Sequence, residues 1–158
     1  MSLIVDVSAD GVRAPVGRER LKNLAVGVLK AERARDALLS IALVSSAQIA
    51  RLNRAHLGHS GATDVISFAL TNPPSGPGRQ AIVGDIYIAP AVARANAARM
   101  GTSIRLEIAR LVVHGTLHVL GHDHPDGAGR TTSPMWRRQE QLLARLTSAG
   151  RSGGKSVR

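Results

Sequence analysis

Apolar positions along this chain change period as it proceeds, and each change marks an element. LIVDV, residues 3–7, alternates and is rich in β-branched residues, which predicts a strand. From Pro15 to about Ala34 the period lengthens: Val16, Leu21, Leu24, Val28 and Ala31 recur near helical spacing, with Arg18, Arg20, Lys22, Lys30 and Arg33 between them as a solvated face. LLSIALV, residues 38–44, is a continuous apolar run of strand length, after which Ser45 or Ser46 caps a helix carrying Ile49 and Leu52. TDVISFAL (63–70) and AIVGDIYIA (81–89) predict two more strands, separated by the Pro/Gly loop TNPPSGPGRQ, which is expected to be mobile. Pro90 opens a helix through Val92, Ala93, Ala97 and Met100 that ends at Gly101. Thr102 or Ser103 caps the next, whose apolar face includes Ile104, Ile108, Leu111 and Val112 and which runs directly into a histidine-rich segment. A last helix is expected from about Pro134 to Thr147.

Strands gathered in the first ninety residues, with helices before, between and after them, predict an α+β fold: a single mixed four-stranded sheet packed with helices. The chain has 158 residues, 44% of them apolar, enough for one core, and residues 1–147 are read as a single domain. Residues 148–158 are basic, have nothing to bury and are expected to be disordered.

Composition narrows the partner. A formal charge of +10 points to a polyanion, nucleic acid first, because clustered arginines release counterions from phosphates. Arg151, Lys155 and Arg158 place part of that charge at the end of the chain, yet the rest is basic as well. Phe68, Tyr87 and Trp136 are the only aromatic residues, too few for the stacking platforms of single-strand readers, so a bound RNA is expected to lie in a charged cleft. The absence of cysteine excludes a disulfide framework and thiolate metal ligands. The opening MSLIVDVSADG has no basic leader and no later segment is long enough to span a bilayer, so the protein is expected to be soluble and cytoplasmic, with no membrane partner.

The candidate chemistry lies in HGTLHVLGHDH, residues 114–124, which holds four of the six histidines. His114, His118 and His122 share one helix face, but the outer two are about 12 Å apart along the axis, too far for bonds of about 2.1 Å to one zinc ion. A helix break at Gly121, with Pro125 stiffening the exit, turns the chain back so that His124 joins His114 and His118. Three protein ligands leave a fourth position for water, the form of a catalytic site. The spacing H-x3-H-x5-H also occurs in metzincin peptidases, where a glutamate beside the first histidine is the base; that position here is Gly115, so the peptidase reading lacks its base. Asp123, Asp126, Asp85 and Glu107 are the carboxylates to consider instead, each with a plainer reading as a turn residue or ion-pair partner.

HGTLHVLGHDH resembles the signature of the YbeY endoribonucleases, or rRNA maturation factors, H-G-x-L-H-L-x-G-Y/H-D-H. LNRAHLGHSGATDVISF (52–68), VGDIYIAP (83–90) and MWRRQEQLL (135–143) are similar to further segments of that family, so the resemblance covers most of residues 40–145. It implies an α+β fold with a metzincin-like zinc helix and turn. The implied activity is that of a zinc-dependent, single-strand-directed endoribonuclease in rRNA maturation, including the 3′ end of 16S rRNA, and in ribosome assembly. One zinc ion would be held by His114, His118 and His124, and the implied partners are rRNA, ribosomal particles and ribosomal proteins. One position departs from the family: Leu57 stands where many members have an arginine, leaving Arg51, Arg54 or His59 to replace that contact, and His56 and His59 as further cleft groups. Gly115 and Leu57 keep open an alternative, a non-catalytic ribosome-assembly factor that binds rRNA and carries a structural metal.

Overall fold

The computed structural model describes residues 2–71 and 81–155, with side chains as far as Ser148. In chain order the elements are β1 (Leu3–Ala9), α1 (Arg18–Ala31), β2 (Ala37–Leu43), α2 (Ser46–Leu57), β3 (Val65–Ala69), β4 (Ile82–Ile88), α3 (Pro90–Met100), α4 (Ile104–Val119), a short 3-10 helix (Gly127–Thr132) and α5 (Pro134–Lys155). The strands form one mixed sheet in the order β1-β2-β4-β3, with β1, β2 and β4 parallel and β3 antiparallel to β4. This is the α+β architecture the sequence predicts. No helix among the described residues is long and apolar enough to cross a membrane.

Local chemistry explains most of the boundaries. Ser45 caps α2 through a reciprocal box with Gln48, and Ser103 accepts the Leu106 N–H at the start of α4. The first helix begins at Arg18 rather than Pro15, because Gly17 is extended at the N-cap, although Val16 just before it is buried. It ends at Ala31, before Arg33 takes a left-handed conformation. The last helix runs beyond Thr147 to Lys155. Residues 148–155, expected to be disordered, instead continue the backbone of α5, and only 156–158 of that basic end lie outside the described residues, as does nearly all of the Pro/Gly loop, 72–80.

The sheet is covered unequally. On one face α4 packs against β3 and β4 and is itself flanked by α1, α3 and α5. That position explains why α4 is apolar nearly all round rather than on a single stripe. The main core, with Leu21, Leu39, Ile41, Ile86, Ile108, Leu117 and Leu142, fills this side. On the other face α2 covers a smaller cluster of Val44, Ile49, Ile66 and Ala89, and the apolar run of β2 is only half used: Leu38 is exposed while Leu39 and Ile41 are buried. The central helix therefore delivers its C-terminal end, with the histidines, between the sheet and α5.

Candidate metal centre

The end of α4 is built to stop and turn back. Leu120 keeps right-handed geometry, Gly121 has φ 102°, the His122 N–H donates to Leu117 O at 3.0 Å and the Gly121 N–H to His118 O at 3.0 Å. This pair of bonds is the Schellman pattern, and it needs a residue tolerant of positive φ at Gly121. The chain thereby reverses within three residues and brings His124 back to the helix.

Three imidazoles converge as a result. One ring nitrogen each from His114, His118 and His124 lies within 4.8 Å of the others, and the ring centroids are 4.6, 4.9 and 5.1 Å apart. Among the described residues this group contains no carboxylate and neither His56, His59 nor His122. Each ring also has its second nitrogen fixed. His118 Nδ1 lies 3.0 Å from the His122 carbonyl oxygen and His124 Nδ1 3.0 Å from that of Pro125. A carbonyl can only accept, so both Nδ1 atoms carry the proton and both Nε2 lone pairs are free. His114 Nδ1 lies 2.6 Å from Gln139 Oε1, and Gln139 Nε2 donates to Glu140 Oε2 at 3.1 Å, which turns the amide oxygen toward His114 and gives the same tautomer.

The hold on His114 extends inward. Arg110 joins Glu140, with Nε to Oε2 3.1 Å, to the buried Glu107, with Nη1 to Oε2 3.0 Å. Burial works to lower the Arg110 pKa, but hydrogen bonds and charges of Glu140 and Glu107 overcome it and raise it. Burial is also the main reason the His114 pKa is lowered to about 4, helped by the nearby charges of His118, Arg130 and His124 against the Gln139 bond. His118 is lowered by burial and then by His124. Neutral rings with free Nε2 atoms are the form in which imidazole binds a cation. The donor set suits zinc, which is commonly held by three imidazole nitrogens with a fourth position left for water.

Most of the other candidates are placed elsewhere. His122 points away, its Nε2 2.6 Å from Glu32 Oε1 at the end of α1, while Glu32 Oε2 accepts from Arg138 Nη2 at 3.1 Å. Glu107 is committed to Arg110. Asp85 pairs with Phe68 across β3 and β4, so it faces α2 and not α4. Asp123 accepts the backbone N–H of His124 at 2.9 Å, and Asp126 precedes the 3-10 helix without a side-chain cap bond. Leu57 is exposed at the last residue of α2, His56 packs edge-on against Phe68 with centroids 5.3 Å apart, and Arg51 lines a separate hollow with Asp10 and Tyr87.

Gly115 has a steric explanation. A Cβ there would lie 2.8 Å from Ile86 Cγ2 and 3.1 Å from Ser67 Oγ, because α4 lies directly on β3 and β4. A side chain there would force Ile86 or α4 to shift, so packing opposes a glutamate in the peptidase position. Sequence reasoning assigned no role to Gln139, Glu32, Arg130 or Trp136. Gln139 had a readable signal: it sits on the apolar stripe of α5 with Met135, Leu142 and Leu143, and a polar residue on a buried stripe needs a partner.

One mixed sheet whose central helix ends in three converging imidazoles defines an α+β protein with a candidate metal centre. Comparison with known proteins then fixes the family. The family model described as Endoribonuclease YbeY matches residues 9–147. A protein named Endoribonuclease YbeY from Moorella thermoacetica is 40% identical over 141 residues, covering 82% of this chain and 88% of that protein. Its namesake from Thermobifida fusca is 39% identical, covering 82% and 86% respectively. The solution structure of TM1509 from Thermotoga maritima superposes with a TM-score of 0.63 at 26% identity, covering 95% of this chain and 93% of that one. The chain belongs to the Endoribonuclease YbeY family.

Proposed function

We propose that this protein is a zinc-dependent, single-strand-directed endoribonuclease that acts in rRNA maturation, including the 3′ end of 16S rRNA, and in ribosome assembly. One observation carries the metal part of this reading: all three Nδ1 atoms face acceptor oxygens, which leaves the Nε2 lone pairs free in a cluster where one ring nitrogen of each histidine lies within 4.8 Å of the others. His114, His118 and His124 are the ligands in this reading. A zinc ion so held supplies Lewis acidity toward water and toward a phosphate oxygen. Gln139 and the His122 and Pro125 carbonyls orient the rings with the proton on Nδ1, and burial favours the neutral form of His114 and His118. Glycine at position 115 leaves that stretch of α4 without a peptidase base. The formal charge of +10 favours a phosphate backbone as substrate, and the names carried by the relatives agree with RNA cleavage. rRNA and ribosomal particles are the proposed partners and the cytoplasm the proposed site of action.

Metal analysis and cleavage test this together. Purified protein is expected to hold about one zinc per chain, and His118→Ala close to none; unchanged stoichiometry in that variant overturns the ligand assignment. Wild type should cleave single-stranded rRNA fragments, and folded His114→Ala should not. If the two cleave equally poorly while both bind ribosomal particles, the protein acts instead as an assembly factor with a structural metal.

A further inference from the structure

Beside the three imidazoles lies a cavity of about 310 Å³ with chemistry of its own. His114 forms part of its wall, and Asp64, Asn96, Arg99, Arg130 and Trp136 supply the groups that could face a ligand. Its volume is near the lower end for small-molecule sites and suits a single nucleotide. The polar groups are unevenly satisfied. Asn96 Nδ2 donates to Asp64 Oδ2 at 3.3 Å, and the Arg99 guanidinium donates to Asn96 Oδ1, which fixes an amide and a carboxylate in one row. Arg130 is different: its Nε is buried and has no hydrogen-bond partner, and no ion pair engages its guanidinium among the described residues. Its charge nevertheless acts on both His114 and His118, so the guanidinium stands close to the imidazole cluster. A buried guanidinium donor without an acceptor is costly unless an anion completes it. Trp136, the only tryptophan in the chain, is half-buried in the same wall and presents a flat apolar surface.

We infer that this cavity is a nucleotide subsite, holding one residue of the RNA strand next to the position opposite the imidazoles. Arg130 binds the phosphate of that residue, the Trp136 indole stacks on its base, and the Asn96 and Asp64 row reads its polar edge. An unpaired guanidinium selects a phosphate, and an indole beside it selects an aromatic base over a simple anion. The inference rests on the proposed ribonuclease reading for its place in a reaction, but the site itself is defined by binding.

The single tryptophan makes the test direct. Titration of the full-length protein with uridine 5′-monophosphate should quench Trp136 fluorescence saturably, and uridine lacking the phosphate should bind at least tenfold more weakly. Arg130→Gln should weaken the nucleotide by about ten- to hundredfold, the worth of a charge-assisted bond, and Arg130→Lys should recover part of the loss. Arg99→Gln on the exposed rim serves as a second variant if Arg130→Gln fails to fold, with a loss of a few fold. On a single-stranded oligonucleotide, folded Arg130→Gln should raise KM more than it lowers kcat. Absence of saturable quenching, or equal quenching in wild type and Arg130→Gln, overturns the subsite. If wild type cleaves RNA and Arg130→Gln matches it in KM, the subsite fails while the ribonuclease reading stands. If nothing is cleaved but quenching depends on Arg130, the binding site stands and the ribonuclease reading falls.

Discussion

At Gly115 a single missing side chain sets how closely α4 approaches the sheet. Gly115→Ala should destabilise the fold by about 1–3 kcal/mol, because the new methyl group meets Ile86 and Ser67 from a helix held on several sides. Urea unfolding measures this, and a stability equal to wild type would mean that α4 shifts freely. Gln139 acts on the site in another way. It is 1% exposed and supplies the acceptor for His114 Nδ1. Gln139→Leu should weaken zinc binding about ten- to hundredfold, whereas Gln139→Glu, which keeps an acceptor, should retain most of it. Competition with a zinc chelator separates these outcomes, and equal affinity in both variants would assign Gln139 to packing alone.

Among the elements, the turn after α4 decides whether three histidines meet. Two features hold it: the left-handed Gly121, and the clamp in which Glu32 at the end of α1 binds His122 from the turn and Arg138 from α5. Gly121→Ala forces a side chain into positive φ and should cost about 1 kcal/mol in stability. Its larger effect is expected on zinc affinity, because His124 depends on the direction in which the chain leaves the helix. The decisive comparison is the change in zinc dissociation constant against the change in unfolding free energy. A variant that loses only stability would show that the turn does not steer His124.

For the whole molecule, the buried imidazole couples folding to pH. His114 has a pKa of about 4 in the folded chain against 6.5 for a free histidine. Between these values the unfolded chain binds a proton that the folded chain refuses, so stability falls as pH drops through that window and is unaffected by this group above it. The loss is about 3 kcal/mol for metal-free protein by pH 4, of the order that the shift in pKa implies, and the lowered His118 acts in the same direction. Urea midpoints of the metal-free protein between neutral pH and pH 4 measure it; a flat profile would show that His114 is solvated.

Local information in the sequence determined the element types, the capping serines, the break at Gly121 and the choice of His124 over His122. Each depends on residues within one or two turns of one another, where spacing and backbone preference suffice. Tertiary structure decided the rest. Gln139 lies 25 positions from the histidine it orients, and Glu32 lies 106 positions from Arg138. Asp85 differed from a cleft carboxylate only by the face of β4 on which it lies, and Gly115 drew its meaning from strands that pack over it. No period or motif carries such pairings, because they arise only when α1, α4, α5 and the sheet exclude water from a shared core and every buried polar group must find its partner there.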